Sequence, residues 1–312
     1  MEWSELASIV AIDPNELLTR IPRIAKDVDY ATAVQTLWKE ELCTRRHHSS
    51  EFRQYQYKAE DDTKLFGMLI RRTGIPAATK VPGILFFHTG AGPHDVCLQW
   101  KADSLVTNNN TFPAGCVVLI ADVLGDDVGW GWSSDCNKYT DARNSVLTQD
   151  NNTGTRQQLQ LRIQAAIKAM KQVEGVDESR LAAFGWCFGG HSILELGQMR
   201  IPEMKAMVTF HGVFDGILPP TDRAEVMIKR ESQVLICNGE ADPFVSKQSL
   251  QNSIALLERN GHEVTLLQLA GVKHGFTNPA QDCNPNEAFA YNEDGARTAW
   301  KAALAILSLA LA

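Results

Sequence analysis

Cys187 sits in the middle of Gly185-Trp186-Cys187-Phe188-Gly189-Gly190, after the apolar run Leu181-Ala182-Ala183-Phe184 and before a stretch with helical character. A thiol becomes a useful nucleophile when it is held out of the core and near positive charge that favours the thiolate. A strand that turns sharply into a helix meets both conditions. The turn lifts its central side chain above the sheet, and the unpaired N–H groups of the helix start supply partial positive charge. Glycines at 185 and 189 suit such a turn, because a Cβ there would meet neighbouring backbone. Read alone, the motif would also fit a buried cysteine between packing glycines. Residues further along the chain favour the chemical reading.

Two of them follow in order. Asp242 lies in Gly239-Glu240-Ala241-Asp242-Pro243-Phe244-Val245, and His274 in Lys273-His274-Gly275-Phe276. Nucleophile, acid and histidine, each in the loop after an apolar strand-like run, make the set needed for acyl transfer. The imidazole takes the thiol proton and later returns a proton to the leaving group. The carboxylate orients the ring and stabilises its charged form. An oxyanion needs two N–H donors. The expected pair is Phe188, just after the nucleophile, and Thr89 or Gly90 in the loop His88-Thr89-Gly90-Ala91-Gly92-Pro93. That loop lacks the Gly-Lys-Ser/Thr ending of a phosphate-binding loop. Taken singly, Asp242 is a turn aspartate and His274 a loop histidine. His211, at the end of an apolar run, is either a substrate contact or a polar strand end. Trp130 and Trp132, in a polar and aromatic loop over residues 122–139, either wall a pocket or anchor the loop. His211, Trp130 and Phe276 are the expected substrate-binding residues.

The elements that must carry these groups can be read from periodicity. Residues 51–58 alternate polar and aromatic side chains, and residues 65–71 form their hairpin partner across Glu60-Asp61-Asp62. Residues 83–88, 115–122, 181–186, 205–210, 233–238 and 263–269 are short apolar strands. Most are of the kind buried on both faces. Helices are expected over residues 98–106, 155–173, 249–260 and from 287 to the C-terminus. In the second of these, Leu159, Ile163, Ala166, Ile167, Met170 and Val173 make one apolar face. Strand alternating with helix predicts an α/β fold with a mostly parallel central sheet flanked by helices. Residues 1–48 read as an N-terminal helical extension. One helix starts at Asp13-Pro14 and a second spans residues 32–42. Residues 49–312 form the main domain.

Composition narrows the class. With 44% hydrophobic and 21% charged residues, the chain has the make-up of a globular protein. A net charge of −7 and no basic run argue against nucleic acid as a partner. No apolar run is long enough to span a membrane, and the N-terminus does not read as a signal peptide. The seven cysteines at 43, 97, 116, 136, 187, 237 and 283 include no Cys-x-x-Cys pair. That pattern predicts a reduced, cytoplasmic protein without a disulfide framework or structural metal. No cofactor is expected.

These motifs, with Tyr291-Asn292 and Trp300 in the last helical stretch, resemble the dienelactone hydrolase family over residues 52–312. The resemblance implies the α/β-hydrolase fold, a Cys187–Asp242–His274 triad and a small-molecule ester or lactone as substrate. Two features depart from the best-known members. They carry a glutamate just after the early strand that helps activate the cysteine, where this chain has His88-Thr89-Gly90-Ala91. They also carry an arginine shortly after the histidine that holds the substrate carboxylate, where this chain has Gly275-Phe276-Thr277-Asn278. The expectation is therefore a broader carboxylic ester or lactone hydrolase working through an acyl-enzyme. A non-catalytic binding protein on the same fold, or a thiol-based redox or acyl-transfer protein using Cys187, are the alternatives.

Overall fold

The computed structural model describes residues 49–76, 78–125, 130, 136–150, 154–216, 232–284 and 286–312. The expected extension over residues 1–48, with both its helices, and Trp132 lie outside the described residues. The strands are β1 (Ser50–Lys58), β2 (Lys64–Arg72), β3 (Val81–Phe87), β4 (Val117–Ala121), β5 (Val176–Trp186), β6 (Met204–Phe210), β7 (Gln233–Gly239) and β8 (Glu263–Leu269). The helices are α1 (Val96–Val106), α2 (Cys136–Leu147), α3 (Gln157–Lys171), α4 (Gly189–Met199), α5 (Lys247–Arg259) and α6 (Glu293–Ala310).

The eight strands form one sheet in the order β1-β2-β4-β3-β5-β6-β7-β8. β1 and β2 pair antiparallel, β2 meets β4 antiparallel, and every pairing from β4 to β8 is parallel. All seven residues of β3 and all five of β4 are buried, as continuous apolar runs require. The sheet separates two cores. On one face Leu159 and Ile163 of α3, Ile193 and Leu194 of α4, and Leu250 and Leu257 of α5 pack together. On the other, Leu98 and Leu105 of α1 meet Ala299, Trp300 and Leu307 of α6. The architecture is thus helix, sheet, helix.

The strand order places the site. From β3 the chain moves outward to β4, then returns past β3 to start β5 on its other side. The helices after β3 and β5 leave on opposite faces, so the loops at the carboxyl ends of these two strands diverge and open a crevice. The loop after β3 carries Thr89 and Gly90. The loop after β5 carries Cys187.

Two elements differ from the sequence reading. The polar loop expected to run through residue 139 ends sooner, because α2 begins at Cys136. Val146 of α2 is buried in a core and Tyr139, Ala142 and Leu147 pack against it, a short stripe that is easily missed among the polar residues of this helix. β5 begins at Val176 rather than 181, because polar residues 177–180 continue the strand before a register shift at Leu181/Ala182.

Candidate active site

At the end of β5 the backbone turns into α4 through Cys187, whose φ of 52° is left-handed. A non-glycine residue held there stores strain. Glycines make the turn possible. A Cβ at Gly185 would strike the Gly189 carbonyl, and one at Gly189 would strike the Phe87 carbonyl of β3. A Cβ at Gly190 would lie 2.7 Å from Gly212 Cα. The Cys187 backbone is also fastened to the next strand. Its N–H donates to the Phe210 carbonyl at 3.3 Å, and its carbonyl accepts from Val213 N–H at 2.9 Å. The thiol is half-buried, and the described cysteines at 97, 116 and 237 are fully buried.

Asp242 and His274 converge on this turn from the loops after β7 and β8. The His274 Nδ1 lies 2.7 Å from Asp242 Oδ2, and both side chains are buried. The other carboxylate oxygen, Oδ1, accepts from Phe244 N–H at 2.9 Å, so the acid is held from two sides. Cys187 hydrogen-bonds the same imidazole. Burial alone would strip the proton from His274. The charge of Cys187, with hydrogen bonds to Asp242 and Cys187, overrides it and pushes the ring up to about 10. The His274 backbone is braced by the segment before α6, with His274 N–H donating to Ala288 O and Ala290 N–H to His274 O, both at 3.2 Å. Half-buried Phe289 and exposed Phe244 stand edge-on or tilted around the ring, at 5.2 and 4.9 Å.

The glycine-rich loop is tied down from below. Buried His88 places Nδ1 2.5 Å from the Thr89 carbonyl, and its Nε2 accepts from Val123 N–H at 3.3 Å. That pattern puts the proton on Nδ1, and burial keeps the ring neutral. Trp130 Nε1 donates to the Gly90 carbonyl at 3.1 Å. With these carbonyls engaged, the N–H groups of Thr89, Gly90 and Phe188 have no hydrogen-bond acceptor among the described residues. They are available to an oxygen above Cys187.

The expected substrate contacts fall differently. Trp130 is 2% exposed and supports the Gly90 loop. Phe276 has no exposed surface and packs under His211 at 5.4 Å. His211 is buried too, with Nε2 3.0 Å from Thr277 Oγ1 and its ring 4.9 Å from His274.

Sequence reasoning missed Tyr139 on α2. Its ring faces Gly90, where a Cβ would come within 3.1 Å of it, and it meets Phe188 edge-on at 6.3 Å. Burial, then the charge of Cys187, push its phenol up, so it stays a hydrogen-bond donor. Behind it, Arg143 donates to both oxygens of Asp215 at 2.8 and 2.6 Å, and His191 Nε2 lies 2.9 Å from Asp215 Oδ1. Arg156 Nη2 donates to the Asp215 carbonyl at 2.9 Å, and Nη1 approaches buried Glu195 at 3.4 Å. This network joins α2, α3 and α4 under the turn. Its members are scattered in sequence, and no local pattern links them.

A mostly parallel sheet between two helical layers, a tight strand-to-helix turn bearing a cysteine, and an acid and a histidine on later loops together define the α/β-hydrolase fold. The sequence matches the dienelactone hydrolase family over residues 71–311, and the chain belongs to that family. Among solved structures, "m3DLH" covers 85% of this chain and all of its own at 25% identity and a TM-score of 0.69. The dienelactone hydrolase-like promiscuous phosphotriesterase P91, from metagenomic libraries, gives the same coverage and identity with a TM-score of 0.64. Among curated proteins, the uncharacterized protein K02A2.1 of Caenorhabditis elegans is 27% identical over 166 residues, 53% of this chain and all of its own. The esterase FrsA of Klebsiella pneumoniae strain 342 is 30% identical over 151 residues, which is 46% of this chain but only 31% of that esterase. Among the described residues no helix is long and apolar enough to cross a membrane.

Proposed function

We propose that this chain hydrolyses a carboxylic ester or lactone, with Cys187 as nucleophile, His274 as general base and acid, and Asp242 as the residue that orients the histidine. The single observation that carries this reading is the 2.7 Å contact between His274 Nδ1 and Asp242, with Cys187 on the same ring from a strained, glycine-lined turn. With the thiol proton already held by His274, the Cys187 thiolate attacks the acyl carbon. The carbonyl oxygen becomes an oxyanion, received by the N–H of Phe188 and of Thr89 or Gly90. The carbon–oxygen bond to the leaving group then breaks, and His274 protonates the departing alkoxide. Water, deprotonated by His274, attacks the resulting thioester and releases the acid and the free thiol.

The surroundings bear on the substrate. His88 is a neutral anchor for its loop, and Phe276 and Thr277 are buried where the best-known members carry an arginine. Neither side chain is a cation that could hold a substrate carboxylate. Phe244 and Phe289 stand beside His274 instead. An apolar or aromatic alcohol suits these rings better than a charged one. His211 enters this reading as a support for His274 rather than a substrate contact. The reading keeps residues 1–48 as a helical extension of the domain over 49–312 and the cytoplasm as its compartment.

The test is hydrolysis of a short-chain p-nitrophenyl ester by wild type, Cys187→Ala and His274→Ala. Turnover in wild type and its loss in both variants is expected. Equal rates in all three would sink the proposal.

A further inference from the structure

Lys101 lies inside α1 with only 4% of its surface exposed. Taking an ammonium out of water costs several kcal/mol unless it is well bonded, so a buried lysine asks what it holds. Its Nζ donates to the Thr277 carbonyl at 3.1 Å. It also feels the charge of Asp95. Asp95 accepts from the Thr89 hydroxyl at 3.1 Å and from Cys97 N–H at 2.9 Å. Thr89 begins the proposed oxyanion loop, and Thr277 lies three residues beyond His274. One buried cation therefore bonds the loop beyond His274 and acts by charge on the aspartate that holds the other loop.

The contact extends inward. Thr277 Oγ1 lies 3.0 Å from His211 Nε2, and the His211 ring meets His274 at 4.9 Å with a 70° tilt. The backbone on either side of His211, at Phe210 and Val213, holds Cys187. His211 itself has a left-handed φ of 42°, a conformation that needs such surroundings to persist.

We propose that Lys101 is a positioning residue, fixing through Thr277 both the loop that carries His274 and the His211 imidazole that rests on His274. This proposal rests on the reading of Cys187, Asp242 and His274 as the reacting groups. The charge has a second consequence. Two touching imidazoles compete for one proton. His274, Thr277 and Phe276 pack on His211, and the charges that act on it, from His274 and from Lys101 beyond Thr277, are both cationic. Burial, then His274, then Lys101 all keep His211 unprotonated. His274 instead faces Cys187 and Asp242, so the proton stays where the reaction uses it.

The experiment measures ester hydrolysis and the imidazole C–H proton resonances of the intact chain as wild type, Lys101→Met and Thr277→Val. The His211 signal is assigned by its loss in His211→Gln. In Lys101→Met, kcat is expected to fall about 10- to 100-fold with KM within about twofold, as for a misplaced reacting group. His211 is expected to stay silent from about pH 5 to 9 in both wild type and Lys101→Met, because burial and His274 remain, while its resonances move in Lys101→Met as Thr277 loses its anchor. Thr277→Val keeps the carbonyl that Lys101 binds. It should lower kcat about fivefold or more while leaving His211 silent. Wild-type kcat in Lys101→Met, or His211 resonances left at their wild-type position in that variant, would overturn the proposal. Should Lys101→Met fail to fold, wild-type kcat in Thr277→Val would overturn it alone. Full hydrolysis by Cys187→Ala would instead sink the reading of the reacting groups, and the His211 resonance would report on Lys101 independently.

Discussion

Cys187 and Cys116 sit on opposite sides of a simple distinction. Cys116 precedes β4 with no exposed surface, and its Sγ has only the Leu105 carbonyl at 3.8 Å. Burial pushes its thiol up, as it does for Cys237 and, to about 12, for Cys97. Cys187 is half-buried, strained, at a helix start and on the His274 ring. The same side chain is inert filling in one place and a candidate nucleophile in the other. The backbone, more than the residue type, makes the difference. Three glycines let β3, β5 and β6 crowd the turn, and that crowding presents the sulfur to the histidine.

The largest expected effect breaks this comparison at its root. Cys187→Ala should lower kcat by about 10⁴-fold or more, whereas Cys116→Ala should leave kcat unchanged within about twofold and cost about 1 kcal/mol of stability. Steady-state kinetics with thermal unfolding of both variants decides it. Comparable kcat losses in the two would erase the distinction. Next in size is Asp242→Asn, expected to lower kcat by about 10³- to 10⁴-fold, because the ring loses its orienting carboxylate. The readout is kcat at fixed pH with folding checked by circular dichroism.

Alkylation sharpens the comparison without mutation. Iodoacetamide under native conditions should modify Cys187 well before Cys97, Cys116 or Cys237, with peptide mass spectrometry as the readout. Equal labelling of all four would contradict the contrast in thiol settings. The smallest effect is on pH dependence. His274 stands at about 10 against an ordinary 6.5. Its ion-pair contribution to stability is therefore full below pH 6.5 and is lost as pH rises towards about 10. Because the imidazolium protonates the leaving group, kcat/KM should hold on the alkaline side until about pH 10 and then fall. Asp242→Asn removes one of the groups that raise this value, so its alkaline limb should move to lower pH.

Most of this contrast was legible in the sequence. The elbow glycines announce themselves because only glycine fits where a Cβ would strike carbonyls, and the buried strands announce themselves as continuous apolar runs. Asp242 could be placed because it follows such a strand, and His274 because it follows β8, an edge strand that is exposed or half-buried throughout but still extended. The remainder escaped for physical reasons. The apolar side of α2 is short, with Tyr139 at its start and Ala142 and Val146 after it, so Tyr139 read as loop. Trp130 and Phe276, expected at the substrate, are buried, and a large aromatic in a loop is buried or exposed according to tertiary packing alone. Lys101 sits among apolar residues of α1, and no local pattern says that its ammonium faces a carbonyl 176 residues further on. Sequence patterns report which face of an element is buried. They do not report which distant group a buried charge meets.

The most direct test of the central claim is mass spectrometry of the protein quenched with acid during turnover of a p-nitrophenyl ester. The account predicts an added acyl mass on the peptide that contains Cys187, absent from Cys187→Ala and accumulating in His274→Ala only if that variant still acylates. Steady hydrolysis with no acyl group on Cys187, or with the acyl group on another residue, would contradict it.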